Sequence, residues 1–151
     1  MRFSLRSFLR LPSRERRILI QIALLVPLIE VCLRVAGFGR VTSYLRCLSG
    51  SRSVSVDPAA EVERYRRLMF CFHARLPIAG RCLARALTLW WLLQREGIST
   101  TVCFGTRKVR RELEAHAWVE YLGQPLTVDR EVRQHYVPFS MPIVDELSGL
   151  L

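Results

Sequence analysis

Apolar residues recur with a helical rhythm in three stretches of the chain. The first runs from Ile18 to Leu33 and is broken only by Gln21, Pro27 and Glu30. It falls short of the ~18–20 clean apolar residues that a bilayer-spanning helix needs, and no small-x-small cleavage site follows it. A buried helix is expected there, with a peripheral membrane contact left open. In the second stretch Val62, Tyr65, Leu68, Met69, Phe72 and Leu76 recur at three- and four-residue steps, while Glu61, Glu63, Arg64, Arg66 and Arg67 fill the other face. Pro77 and Gly80 end that helix. The third, Cys82 to Glu96, is rich in Leu and Ala, carries Trp90 and Trp91, and stops at Gly97, a natural C-cap. Its apolar content exceeds one face, so it should be largely buried, with one tryptophan packed against a neighbouring helix.

Past Gly97 the pattern changes. Ser99 to Phe104 is β-branched and aromatic and predicts a strand. Gly105 to Glu114 is charged and reads as an exposed connection. Ala115 to Leu122 alternates as a second strand, Gly123-Gln124-Pro125 turns, and Leu126 to Asp129 resumes an extended run. The tail from Val137 is irregular. Helices first and a small antiparallel sheet afterwards predict an α+β fold. The segment from Leu48 to Pro58, rich in Ser, Gly and Pro, reads as a linker. It divides a basic helical arm and linker, residues 1–58, from a core, residues 59–151.

Charge sharpens that division. Of the net +10, residues 1–52 hold +8, from ten arginines against Glu15 and Glu30. A basic flank attracts nucleic acid, an anionic membrane surface or an acidic peptide, or simply keeps a greasy helix in solution. Phe3 and Phe8 make no interleaved aromatic platform and no nucleic-acid motif is present, so no nucleic acid is expected as a partner. A membrane surface or a membrane-bound exporter remains as a contact for residues 1–52. The five cysteines, at 32, 47, 71, 82 and 103, are odd in number and irregular in spacing. They read as reduced thiols of a cytoplasmic protein, peripheral at the membrane at most.

Among these thiols Cys82 stands out, because it opens a long buried helix. Backbone N–H groups and the positive end of the helix dipole are concentrated there, and both favour a thiolate nucleophile. The same N–H groups suit a tetrahedral oxyanion. Position alone would still leave Cys82 a buried thiol like most others. Of the three histidines, His73 lies on the amphipathic helix as a boundary residue and His135 in the irregular tail. His116 lies in a strand between Ala115 and Ala117, which leave room beside its ring, and Trp118 shares its face and walls a cleft. If the next turn is a two-residue loop, at Gly123-Gln124 or at Leu122-Gly123, Asp129 falls on the same face as His116. A three-residue loop would oppose them. A carboxylate there would fix the imidazole tautomer. Glu120, further along that face, is a weaker rival and a cleft candidate with Trp118. A metal site built on Cys71, His73 and Cys82 or Cys103 lacks any paired ligand spacing, and no cofactor or metal is expected.

A helix-borne Cys, a strand-borne His and an Asp on the next strand occur in this order in papain-like and transglutaminase-like enzymes. The segments Arg81-Cys-Leu-Ala-Arg-Ala-Leu-Thr-Leu89, Leu92-Leu-Gln-Arg-Glu-Gly-Ile98, Ala115-His-Ala-Trp-Val-Glu120 and Gly123 closely resemble the peptidase (B) proteins of lasso-peptide biosynthesis. The resemblance covers about residues 60–130. It implies a transglutaminase-like core in which Cys82, His116 and Asp129 fall on the family's catalytic triad. The implied activity is removal of the leader from a ribosomally made precursor, after which a lasso cyclase joins the freed amine to an acidic side chain. Many such proteins carry a leader-recognition domain ahead of the peptidase, and residues 1–58 are too few and too helical for it. The resemblance is therefore to the split form, which implies a separate leader-recognition protein as partner. Two other readings use the same residues. Transglutaminase-like or acetyltransferase-like acyl transfer needs the same triad, and a non-enzymatic basic binding module would need none of it.

Overall fold

The computed structural model describes residues 10–49, 57–74, 82–109, 112–126 and 136–138. Among the described residues, four helices precede a four-stranded antiparallel sheet, an α+β fold. Helix α1 spans Ser13–Ala36 and α2 spans Phe38–Cys47, with Gly37 between them at φ 79°. Such a positive φ costs a glycine nothing and lets the chain break cleanly from one helix into the next. Helix α3, Pro58–His73, begins where the Asp57 side chain accepts a hydrogen bond from the Ala60 N–H at 3.1 Å, with proline in its first turn. Both devices are standard helix starts. Helix α4, Cys82–Arg95, ends in a Schellman motif: Ile98 N–H donates to the Leu93 carbonyl, Gly97 N–H to that of Gln94, and Gly97 sits at φ 73°.

Helix α4 is the central element. Nine of its fourteen residues are buried, including both Trp90 and Trp91. Buried residues of α1, α3, α4 and the sheet form one apolar cluster, from Ile18 and Ile22 through Tyr65 and Leu68 to Leu87, Val102 and Val119. Polar clamps reinforce it at one end. Glu61 of α3, almost fully buried, is ion-paired with Arg64 and with Arg14 of α1 (3.1 Å). Tyr65 donates to Glu96 at 3.0 Å, and its phenol is held well above the ordinary range, first by burial and then by the Glu96 carboxylate. Glu15 of α1 is paired with Arg67 of α3 at 2.5 Å.

The apolar run beginning at Ile18 does form a helix, but not a buried one. Ile18, Leu19, Ile22, Val26 and Ile29 enter the core, whereas Ile20, Leu24, Leu28, Val31 and Val35 are exposed. The reason is geometric. A helix packed on one side of a core can bury only one face, and this one is apolar on two.

The sheet has the order β3-β2-β1-β4, with β1 at Thr101–Val109, β2 at Glu112–Tyr121, β3 at Gln124–Pro125 and β4 at Val137–Pro138. The charged stretch from Gly105 to Glu114, expected as a connection, instead continues both strands to Val109 and from Glu112. Its charges pair across the ladder: Arg107 lies opposite Glu114 and donates to it at 2.7 Å. An exposed ribbon of this kind needs cross-strand partners rather than apolar alternation. The β2–β3 turn is a two-residue loop at Leu122-Gly123, with positive φ of 49° and 75°, as the hairpin twist prefers.

Candidate active site

Cys82 is the first described residue of α4, and Arg85 follows one turn later on the same helix face. His73 lies in the last turn of α3. His116 and Trp118 project from the same face of β2, and across the β1–β2 ladder they lie opposite Gly105 and Cys103. A cleft of about 290 Å³ gathers these elements, with Cys82, Arg85, His73, His116, Trp118 and Tyr136 among its lining residues. Met69, Phe70, Leu89 and Leu126 give it apolar walls. The thiol and the imidazole named from the sequence are thus brought to one cavity by a helix and a strand 34 residues apart in the chain.

The His116 ring sits in a stack. Its centroid is 5.1 Å from that of Tyr136 at 29° between planes, and 6.3 Å from Trp118 at 19°. The Arg107 guanidinium also lies over the Tyr136 ring, 4.7 Å from its centroid and within cation–π range. Trp118 is only 1% exposed and donates its indole N–H to Glu120 at 2.8 Å. Glu120, also buried, thereby fixes the tryptophan plane, and Trp118 is a wall of the cleft. The stack has room because β1 carries Gly105 beneath it. A Cβ at that position would lie 2.9 Å from Trp118 Cη2 and 2.9 Å from the Val137 carbonyl oxygen.

Three side chains in the cleft, His73, Arg85 and Tyr136, were not legible as site residues. His73 reads in sequence as a boundary residue of an amphipathic helix, yet it lines the cavity with its Nδ1 against the Arg85 guanidinium. Burial, and then the Arg85 charge, lower its pKa below the ordinary histidine value and so favour the neutral imidazole. Burial likewise pulls the Arg85 guanidinium down, and the neighbouring Cys82 acts more weakly in the opposite sense. The arrangement gives an expected NMR result. His73 should titrate below the usual imidazole range, and Arg85→Gln should recover the smaller part of that shift, because burial is the larger cause. An unchanged His73 titration in the variant would remove Arg85 as a cause. Tyr136 belongs to the tail read as irregular, and only its contact with His116 across the sheet reveals it.

Asp129 and His135 lie outside the described residues. The Leu122-Gly123 turn is one of the two even-numbered loops considered for this hairpin. Among the described residues no three His, Cys, Asp or Glu side chains are gathered in a way that would hold a metal ion, and the five cysteines stand outside disulfides.

No curated protein and no solved structure matches the chain. A family model does, described as the transglutaminase-like superfamily, and it covers residues 25–141, from the middle of α1 past β4. With a match over most of its length that spans both the Cys82 helix and the His116 strand, the chain belongs to the transglutaminase-like superfamily.

Proposed function

We propose that this protein is a cysteine peptidase that removes the leader from a ribosomally made precursor peptide during lasso-peptide maturation. The observation that carries the reading is the shared cleft: Cys82 at the first turn of α4 and His116 on β2 line one cavity. Superfamily membership supports thiol acyl chemistry, and the Cys-Leu and Ala-His-Ala-Trp-Val-Glu segments support the leader-peptidase branch.

The residues serve the reaction as follows. His116 takes the Cys82 thiol proton, and the thiolate attacks the scissile carbonyl to give a tetrahedral oxyanion. N–H groups of the first turn of α4 stabilise that oxyanion. His116 then gives its proton to the departing amine, which leaves as the core peptide while the leader remains as a Cys82 thioester. A water deprotonated by His116 breaks the thioester and releases the leader carboxylate. Asp129 holds the imidazole in the productive tautomer and stabilises the imidazolium. Acyl transfer differs only in the last step, where an amine replaces water and an amide replaces the free carboxylate.

The partners in this reading are the precursor, a separate leader-recognition protein that presents it, and the cyclase that receives the product. The test mixes the protein with the precursor and the recognition protein under reducing conditions at neutral pH and follows peptide masses. Two fragments with a free carboxylate on the leader are expected. An amine-dependent adduct would assign acyl transfer instead, and an intact precursor with all components present would overturn the proposal. In the same assay Asp129→Asn should lower kcat/KM by about 10²- to 10⁴-fold while leaving residual cleavage, because orientation is lost but the nucleophile remains. Wild-type turnover in that variant would pass the orienting role to Glu120.

A further inference from the structure

Helix α1 carries a feature that the cleft does not use. Ile20, Leu24, Leu28, Val31 and Val35 are 46–83% exposed and recur at steps of four, four, three and four residues. That spacing aligns them in one stripe, about 22 Å long at 1.5 Å per residue. The opposite face of the same helix, with Ile18, Ile22, Val26 and Ile29, is sealed into the core. By length and composition α1 would qualify to cross a membrane, yet that packed face ties it to α3 and α4. The stripe is therefore a surface that remains open while the domain is folded. Exposed apolar area of this extent and order marks a binding face.

Charge indicates what covers it. Arg17 stands on the line of the stripe, one step before Ile20, and exposed Arg10 precedes it. Exposed Arg40 follows Val35 in the chain, and Arg34, just before Val35, is ion-paired with Glu30. The two acids of the helix, Glu15 and Glu30, lie off the stripe and are tied in ion pairs to Arg67 and Arg34. Residues 1–52 carry +8 in all. An apolar line bracketed by arginines, with no acid on it, suits lipid tails flanked by anionic headgroups. A second copy of the chain suits it poorly, since two such faces would bring like charges together.

We propose that the Ile20–Val35 stripe of α1 seats the protein on an anionic phospholipid bilayer, the helix lying in the plane of the surface with its inner face still packed on α3 and α4. This anchoring is independent of what the cleft cleaves.

The test is flotation of the full chain with phosphatidylcholine vesicles, with and without phosphatidylglycerol. The protein should float with the anionic vesicles, weakly with the neutral ones, and less as salt is raised. Leu24→Gln with Leu28→Gln should lower the bound fraction by roughly tenfold or more, with an unchanged circular dichroism spectrum and no new charge. Val31→Gln with Val35→Gln, further along the same line, should act alike and serves if the first pair fails to fold. No flotation of the wild-type chain, or full flotation of both folded variants, would overturn the proposal. So would a dimer in sedimentation that these substitutions dissolve, which would give the face to a second copy. Capture of the leader-recognition protein that is lost in the variants, without vesicle binding, would give it to a protein and likewise overturn the proposal.

Discussion

Cys82→Ala should abolish precursor cleavage, lowering kcat/KM by at least ~10⁴-fold, while the thermal unfolding transition stays close to that of the wild type. The size of the loss follows from the chemistry. Without the sulfur no thioester forms, and oxyanion stabilisation and binding alone retain only a small residual rate. The small effect on folding follows from the structure, since Cys82 is half-buried at a helix end and an alanine fills that place without a clash. His116→Ala should fall as far, because the thiol loses its base and the departing amine its acid. His73→Gln is the informative comparison. His73 lines the same cleft, but its Nδ1 faces Arg85, so its replacement should cost far less than that of His116. Parallel kcat/KM measurements on the three variants decide the assignment. Equal losses at the two histidines would mean that His116 is not the sole base.

The second large effect is expected at Gly105, which is not among the lining residues of the cleft. Its Cβ would meet the Trp118 ring on one side and the backbone carbonyl of Val137 on the other, both at 2.9 Å. The ring cannot swing away, because it is buried and its indole N–H is held by Glu120. Nor can the carbonyl move without disturbing the β1–β4 ladder, where Gly105 and Thr106 face Pro138 and Val137. Gly105→Ala should therefore cost about 1–3 kcal/mol of stability, the range for overpacked interiors, and Gly105→Val more. Any displacement of Trp118 is passed to His116, which stacks beside it. Urea unfolding gives the first quantity, and kcat/KM of the fraction that remains folded gives the second. A variant with wild-type stability would show that the strands separate more easily than their packing implies.

The sequence made some of this plain and concealed the rest for physical reasons. Local periodicity identified α3, whose Val62, Tyr65, Leu68 and Met69 are all buried, and Gly97 marked the end of α4. Cys82 and His116, which line one cleft, were legible as candidates because a thiol at a helix start and an imidazole on a strand are recognised by residue type and by the element that bears them. The length of the β1–β2 ribbon was not, since cross-strand ion pairs such as Arg107–Glu114 look like a loop when read along the chain. His73, Arg85 and Tyr136 escaped for a related reason. Each takes its place in the cleft from packing between elements distant in sequence, and nothing in its own neighbourhood announces that. The burial expected of α1 holds for one face only, because composition counts apolar residues without saying how many faces a core can cover.

The ring stack around His116 has one more consequence. One of its layers, Tyr136, is carried by the residue that enters β4, a strand joined to β1 over two residues at the edge of the sheet. Short edge ladders open at a fraction of the free energy needed to unfold a helical core. In the proposed reaction, parting of that ladder would free one layer of the His116 stack, so cleavage is expected to respond to local opening at β4 as well as to the stability of the domain.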